Sequence, residues 1–71
     1  MFITFDKSRV QVKTDTGITR AYLTPTRGEI TSAYMSGDGM ITVQTTKATF
    51  VYTRIGNNEC SWKLHRLFIV N

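Results

Sequence analysis

Turn-forming residues recur so often in this chain that little room remains for a helix. Asp6-Lys7-Ser8, Asp15-Thr16-Gly17, Pro25-Thr26-Arg27-Gly28, Gly37-Asp38-Gly39, Lys47-Ala48 and Gly56-Asn57-Asn58-Glu59 cut the sequence into short segments. Glycine supplies positive φ, proline fixes φ, and aspartate and asparagine bond their own backbone, so these clusters predict reversals. The segments between them are rich in Val, Ile, Thr, Tyr and Phe and tend to alternate in polarity, the pattern of half-buried strands.

Strands are therefore expected over Phe2–Phe5, Arg9–Thr14, Ile18–Thr24, Glu29–Ser36, Met40–Thr46 and Thr49–Ile55. A two-residue loop at Thr16-Gly17 sets Val12 opposite Ala21 and Val10 opposite Leu23 as a core face. Lys13 then faces Arg20 and Gln11 faces Tyr22 on the solvent side; a three-residue loop needs a bulge to keep these faces. Gly37-Asp38-Gly39 is the clearest hairpin signal, and Asp38-Gly39 as its loop puts Tyr34 opposite Val43 and Ser36 opposite Ile41. With Asn57-Asn58 as the last loop, Ile55 meets Cys60, Thr53 meets Trp62 and Val51 meets Leu64. Arg54 with Ser61, Tyr52 with Lys63 and Phe50 with His65 then form the opposite face.

The last stretch, Cys60–Asn71, holds the single tryptophan, histidine and cysteine of the chain. Read as a strand, it carries Cys60, Trp62, Leu64, Phe68 and Val70 on one side and Ser61, Lys63, His65, Leu67 and Ile69 on the other. Its end is apolar on both sides, so it must be covered on both faces or lie against a partner. Arg66 interrupts the apolar side, which a bulge near His65–Arg66 or a stem lying on the core rim would accommodate. The rival is a C-terminal helix over residues 59–69. Asn58 would cap it, and Cys60, Leu64, Leu67 and Phe68 fall at helical spacing with Lys63 and Arg66 opposite. The Phe-Ile-Val ending and the tryptophan favour the strand.

These segments predict an all-β fold, a small antiparallel meander curling into a barrel or half-barrel of SH3-like or OB-like size. The 71 residues form one small β domain, 1–71. A chain this short buries only roughly 60% of its unfolded surface. One cysteine excludes an internal disulfide, and no Cys/His cluster offers a structural metal. Oligomerisation or unusually good packing must then support the fold, and a homo-oligomer is one expectation. The lone cysteine, an N-terminus without a basic and apolar leader, and the lack of a long apolar run predict a cytoplasmic protein away from membranes.

The formal net charge is +4 and the sequence pI about 9.7, which favours an anionic partner, nucleic acid or an acidic protein. The charges are segregated. Asp6, Asp15, Glu29, Asp38 and Glu59 fall in or beside turns, whereas Arg9, Lys13, Arg20, Arg54, Lys63 and Arg66 fall in strand bodies. The expected solvent faces combine cations with rings: Arg9, Lys13 and Arg20 with Tyr22, and Arg54 and Lys63 with Tyr52. Cations neutralise phosphates and aromatic rings stack bases, so this face suits single-stranded DNA or RNA. A generic solvated face, on which Lys, Arg and Tyr are ordinary, is the bland alternative.

Catalytic constellations do not emerge. Cys60 and His65 point to opposite strand faces, against a nucleophilic pair or shared metal ligation. Cys60 reads as a small core residue and His65 as a surface or half-buried one. The carboxylates sit at turn tips, and Gly37-Asp38-Gly39 lacks the lysine, hydroxyl and following helix of a phosphate loop. No catalytic residue, metal ligand or cofactor is assigned, and the chain reads as a non-enzymatic binding module. The alternative to a nucleic-acid binder is a protein-binding inhibitor or adaptor, docking or self-associating through Leu67, Phe68, Ile69 and Val70.

In size and strand count the chain resembles the cold-shock, Sm-like and SH3-like small barrels, in architecture alone; the aromatic signature segments of cold-shock domains are not found. A compact, motif-free chain of this length also resembles the small accessory or inhibitor proteins of phages.

Overall fold

A computed structural model describes residues 1–37 and 39–70. Every regular element in it is a strand: β1 (Phe2–Phe5), β2 (Val10–Lys13), β3 (Thr19–Leu23), β4 (Ile30–Gly37), β5 (Met40–Thr45), β6 (Ala48–Ile55) and β7 (Asn58–Ile69). Cys60–Ile69 is strand, so the C-terminal helix alternative is set aside. The strands form two antiparallel meanders, a three-stranded sheet in the order β1-β2-β3 and a four-stranded sheet in the order β4-β5-β6-β7. No closed barrel forms among the described residues; β1 lies against β4 and β3 against β7 without a shared ladder.

The two sheets share one core. Val10, Val12 and Leu23 come from the three-stranded sheet, and Ile30, Ile41, Val43, Ala48, Phe50 and Tyr52 from the four-stranded one. Phe50 and Tyr52 stack with centroids 6.3 Å apart and planes 11° from parallel. The outer faces therefore look away from each other, which decides how surface residues can cooperate.

The β2–β3 hairpin keeps the expected pairs Val10–Leu23, Gln11–Tyr22 and Val12–Ala21. Its loop is longer than two residues: Gly17 N donates to Thr14 O, Thr14 N donates to Ile18 O, and Gly17 sits at φ +88°. A loop of this kind shifts the register by one residue, and a bulge at Arg20 shifts it back, so Lys13 faces Thr19 rather than Arg20. The expected like-charge pair is thereby avoided.

The other hairpins depart further. Gly37 pairs with Met40, but a bulge at Ser36 then sets Met35 opposite Ile41 and Tyr34 opposite Thr42, not Val43. The expected loop at Asp38-Gly39 falls partly on Asp38, outside the described residues. At the last hairpin Ile55 pairs with Asn58, so the loop is Gly56-Asn57 instead of Asn57-Asn58. Residues 59–61 are then passed over, so that Arg54 faces Trp62, Thr53 faces Lys63 and Tyr52 faces Leu64. A bulge at His65 shifts the register again, and Val51 faces Arg66, Phe50 faces Leu67 and Thr49 faces Phe68. A slip of one residue exchanges which side chains share a face. Consequently Phe50 and Tyr52 are core and Thr49, Val51 and Thr53 point outward, the reverse of the sequence expectation.

One loop joins the sheets. Residues 24–29 cross from β3 to β4, and Gly28 (φ +74°) lies directly under the β5–β6 turn. There Thr45 Oγ1 accepts from Lys47 N at 3.2 Å and Ala48 N at 3.0 Å and donates to Ala48 O at 3.1 Å. Thr46 Oγ1 accepts from Glu29 N at 3.2 Å, and Thr46 N donates to Glu29 O at 3.0 Å. At the β1–β2 turn the Asp6 carboxylate accepts from Ser8 N and Oγ and from Arg9 N, bonds that hold it below the usual aspartate range.

Candidate functional site

The proposed cationic-aromatic set divides between surfaces. Arg9, Lys13, Arg20 and Tyr22 all belong to the three-stranded sheet or its β1–β2 loop. Tyr22 is 54% exposed, and the Arg9 guanidinium carbon lies 4.6 Å from its ring centroid. That geometry is a cation–π contact, which occupies one face of the ring. Arg20 is exposed at its bulge and Lys13 is half-buried opposite Thr19.

The second half of the set does not assemble. Tyr52, expected on the solvent side, is 9% exposed and packs in the core, where burial pushes its phenol above the usual tyrosine value. Arg54 shares the side of Tyr52 and faces Trp62; it is half-buried, and its Nε donates to Gly56 O at 3.3 Å. Lys63 is exposed on the other side, opposite Thr53. Lys63 thus looks away from Arg54 across the same sheet, and Tyr52 offers no ring for stacking. Cys60, expected in the core, is exposed.

The alternative contact residues do come together. β7 has twelve residues and is hydrogen-bonded on one edge only, to β6. Leu67 and Ile69 sit on the inner side, opposite Phe50 and Ala48, yet are 40% and 47% exposed. Sheets of three and four strands explain this: the fourth strand overhangs the smaller sheet. On the outer side Phe68 is 53% exposed, and Val70, just past the strand, is 58% exposed. The segment is apolar on both faces and uncovered on both, along an open edge. Soluble monomers blunt such edges with charge, proline or short length, and here only Arg66 intervenes within 66–70.

One neighbour escaped the sequence reading as a contact residue. Tyr34 is exposed on the outer face and stands in one cross-strand row with Thr42, Val51 and Arg66. Phe68 ends the adjoining row of Ser32, Gln44 and Thr49. The signal for this face was Thr49-Phe50-Val51-Tyr52-Thr53: the two rings are the better core pair, and Thr-Val-Thr is an ordinary outer face. No pocket forms among the described residues, nor any group of three or more His, Cys, Asp or Glu fit to hold a metal. No protein-family model, no curated protein and no solved structure matches the chain.

Proposed function

We propose that this chain is a small non-enzymatic protein-binding module that engages another polypeptide by strand addition along the C-terminal half of β7. The observation that carries the reading is the exposure of Leu67, Phe68, Ile69 and Val70 on both faces of an open sheet edge. Backbone groups at such an edge bond an incoming strand, and alternate side chains on either face supply apolar contact. The test is a photo-crosslinking residue placed at Phe68 in living cells, with a second at Thr4, on the outer face of the three-stranded sheet, as control. A covalent protein adduct from position 68 and not from position 4 supports the reading. Equal adducts from both positions, or none, remove it.

A second reading, binding of single-stranded nucleic acid, draws on Lys13, Arg20 and Tyr22 on the three-stranded sheet with Arg9 in its β1–β2 loop, while Asp6 and Asp15 lie in its loops. On that reading a short oligonucleotide binds at low salt, weakens steeply as salt rises, and weakens further in Arg20→Ala. Absence of binding at low salt excludes it.

A further inference from the structure

We infer that the polypeptide received by β7 is a second copy of this chain, paired antiparallel across a two-fold axis at Leu67. The inference rests on the strand-addition reading and goes beyond it by naming the partner and the register. Val70 N donates to Lys47 O at 2.9 Å, so Val70 turns its backbone groups toward β6. Alternation along an antiparallel strand then turns the N–H and C=O of Leu67 and Ile69 to the open edge. A two-fold axis perpendicular to the sheet pairs some residue with its own copy. Centred on Arg66 it sets two guanidinium groups opposite each other, which is unfavourable. Centred on Leu67 it sets Arg66 against Phe68 of the other copy, twice, and leucine against leucine. The cation then meets a ring instead of another cation, a contact this chain already makes at Arg9 and Tyr22.

The overhang points the same way. The axis keeps both three-stranded sheets on one side of a continuous sheet, four strands from each copy. The exposed inner side chains Leu67 and Ile69 of one copy then lie beside those of the other. In this register the strand meets its own copy without setting like charges opposite each other, as an isologous interface requires. A core of nine buried hydrophobic residues in a chain of 71, with a single cysteine, is also the kind of fold that association supports.

Salt separates this partner from others. Each copy carries +4, so long-range repulsion opposes self-association and screening should strengthen it. An acidic protein or a nucleic acid would instead be released by salt. The experiment is sedimentation of the purified full chain across a concentration series at low and high salt, followed by cysteine cross-linking in a Cys60→Ser background. A dimer that tightens with salt is expected. Leu67→Cys should oxidise to a covalent dimer at least tenfold faster than Phe68→Cys. In this register position 67 faces its own copy at about 5.5 Å between Cα atoms, within disulfide reach. Position 68 lies diagonal to its copy at about 7–8 Å, beyond it. Phe68→Leu, which keeps the apolar bulk, should weaken the dimer several-fold without moving the unfolding midpoint of the monomer. Faster cross-linking at 68 overturns the register. A monomer at all concentrations overturns the second copy as occupant; adducts to another protein from position 68 would then leave strand addition standing, and the lack of any adduct would remove both.

Discussion

Alanine at Gly28 should destabilise the fold far more than alanine at Gly17. Both residues hold a left-handed backbone, φ +74° and +88°, which a side chain resists by about 1–2 kcal/mol. They differ in what the added methyl meets. At Gly17 nothing lies within 4 Å, whereas at Gly28 it would stand 2.6 Å from Thr46 Oγ1, 2.9 Å from Lys47 N and 2.9 Å from Thr45 Oγ1. None of these atoms is the loose end of a flexible side chain. Thr45 Oγ1 bonds three backbone groups of the β5–β6 turn, and Thr46 Oγ1 holds Glu29 N. Forcing extra volume into a packed site adds roughly 1–3 kcal/mol. The totals are therefore about 2–5 kcal/mol at Gly28 and about 1–2 kcal/mol at Gly17. A domain of this length has a stability of roughly 4–11 kcal/mol, so the first variant stands near the edge of folding. Urea unfolding followed by tryptophan fluorescence reads the difference. With a slope of about 1–3 kcal/mol per molar, the two midpoints should differ by on the order of 1 M. Indistinguishable midpoints would refute the reasoning, because they would mean that the β5–β6 turn yields to the methyl at no cost.

Four further outcomes follow from the core and the turns. Thr45→Val keeps the shape but removes the acceptor for Lys47 N and Ala48 N, and should cost about 1–3 kcal/mol in urea unfolding. Tyr52→Ala should cost about 3–5 kcal/mol, in contrast to a small effect for Tyr22→Ala, which loses only a surface cation–π contact. Burial raises the Tyr52 phenol, so the folded state holds its proton longer than the unfolded chain. Its contribution to stability is full below the ordinary tyrosine value of about 10 and lost above it; Tyr52→Phe should flatten that alkaline fall in the unfolding midpoint. Asp6 has the opposite sign: its pKa is lowered by the Ser8 and Arg9 bonds, so its contribution is present above the ordinary aspartate value of 3.8 and lost as pH falls below it. Asp6→Ala should shallow the acid limb of the midpoint curve.

The sequence made some of this legible and hid the rest for a definable reason. Val10 and Val12 alternate with Gln11 and Lys13 so cleanly that their side of the sheet follows from the residues alone, while the expected partners Ala21 and Leu23 are kept because a bulge at Arg20 offsets a loop longer than two residues. The crowding of β-formers in Cys60–Ile69 favoured the strand that forms there over the rival helix, and a bulge near His65–Arg66 was one of the two ways expected to accommodate Arg66. What the residues could not decide was how the last hairpin continues beyond its loop. The choice between Gly56-Asn57 and Asn57-Asn58 moves the pairing by two residues and keeps every side chain on its face. The inversion comes at the next pair: Ile55 pairs with Asn58 but Arg54 with Trp62, so residues 59–61 are passed over. That irregularity leaves Arg54 beside Tyr52 and Lys63 on the opposite side, and dissolves half of the expected cationic patch. Cys60 lies within it and is exposed. By contrast the double-sided apolar ending, Leu67–Val70, needs no register to be recognised, and its expectation of a covering partner stands as the basis of the proposed function.

The bulges have a consequence for how this chain could change length. Arg20, Thr31, Ser36 and His65 are each skipped in their ladders, flanked on both sides by paired residues. Losing one residue from the middle of an ordinary strand inverts everything beyond it. Losing one of these four would instead leave all the remaining neighbours where they are and merely straighten the ribbon. Shortened variants at those positions should keep the same interior, while a deletion in β5, whose ladder with β6 has no skipped residue, such as loss of Val43, should not fold.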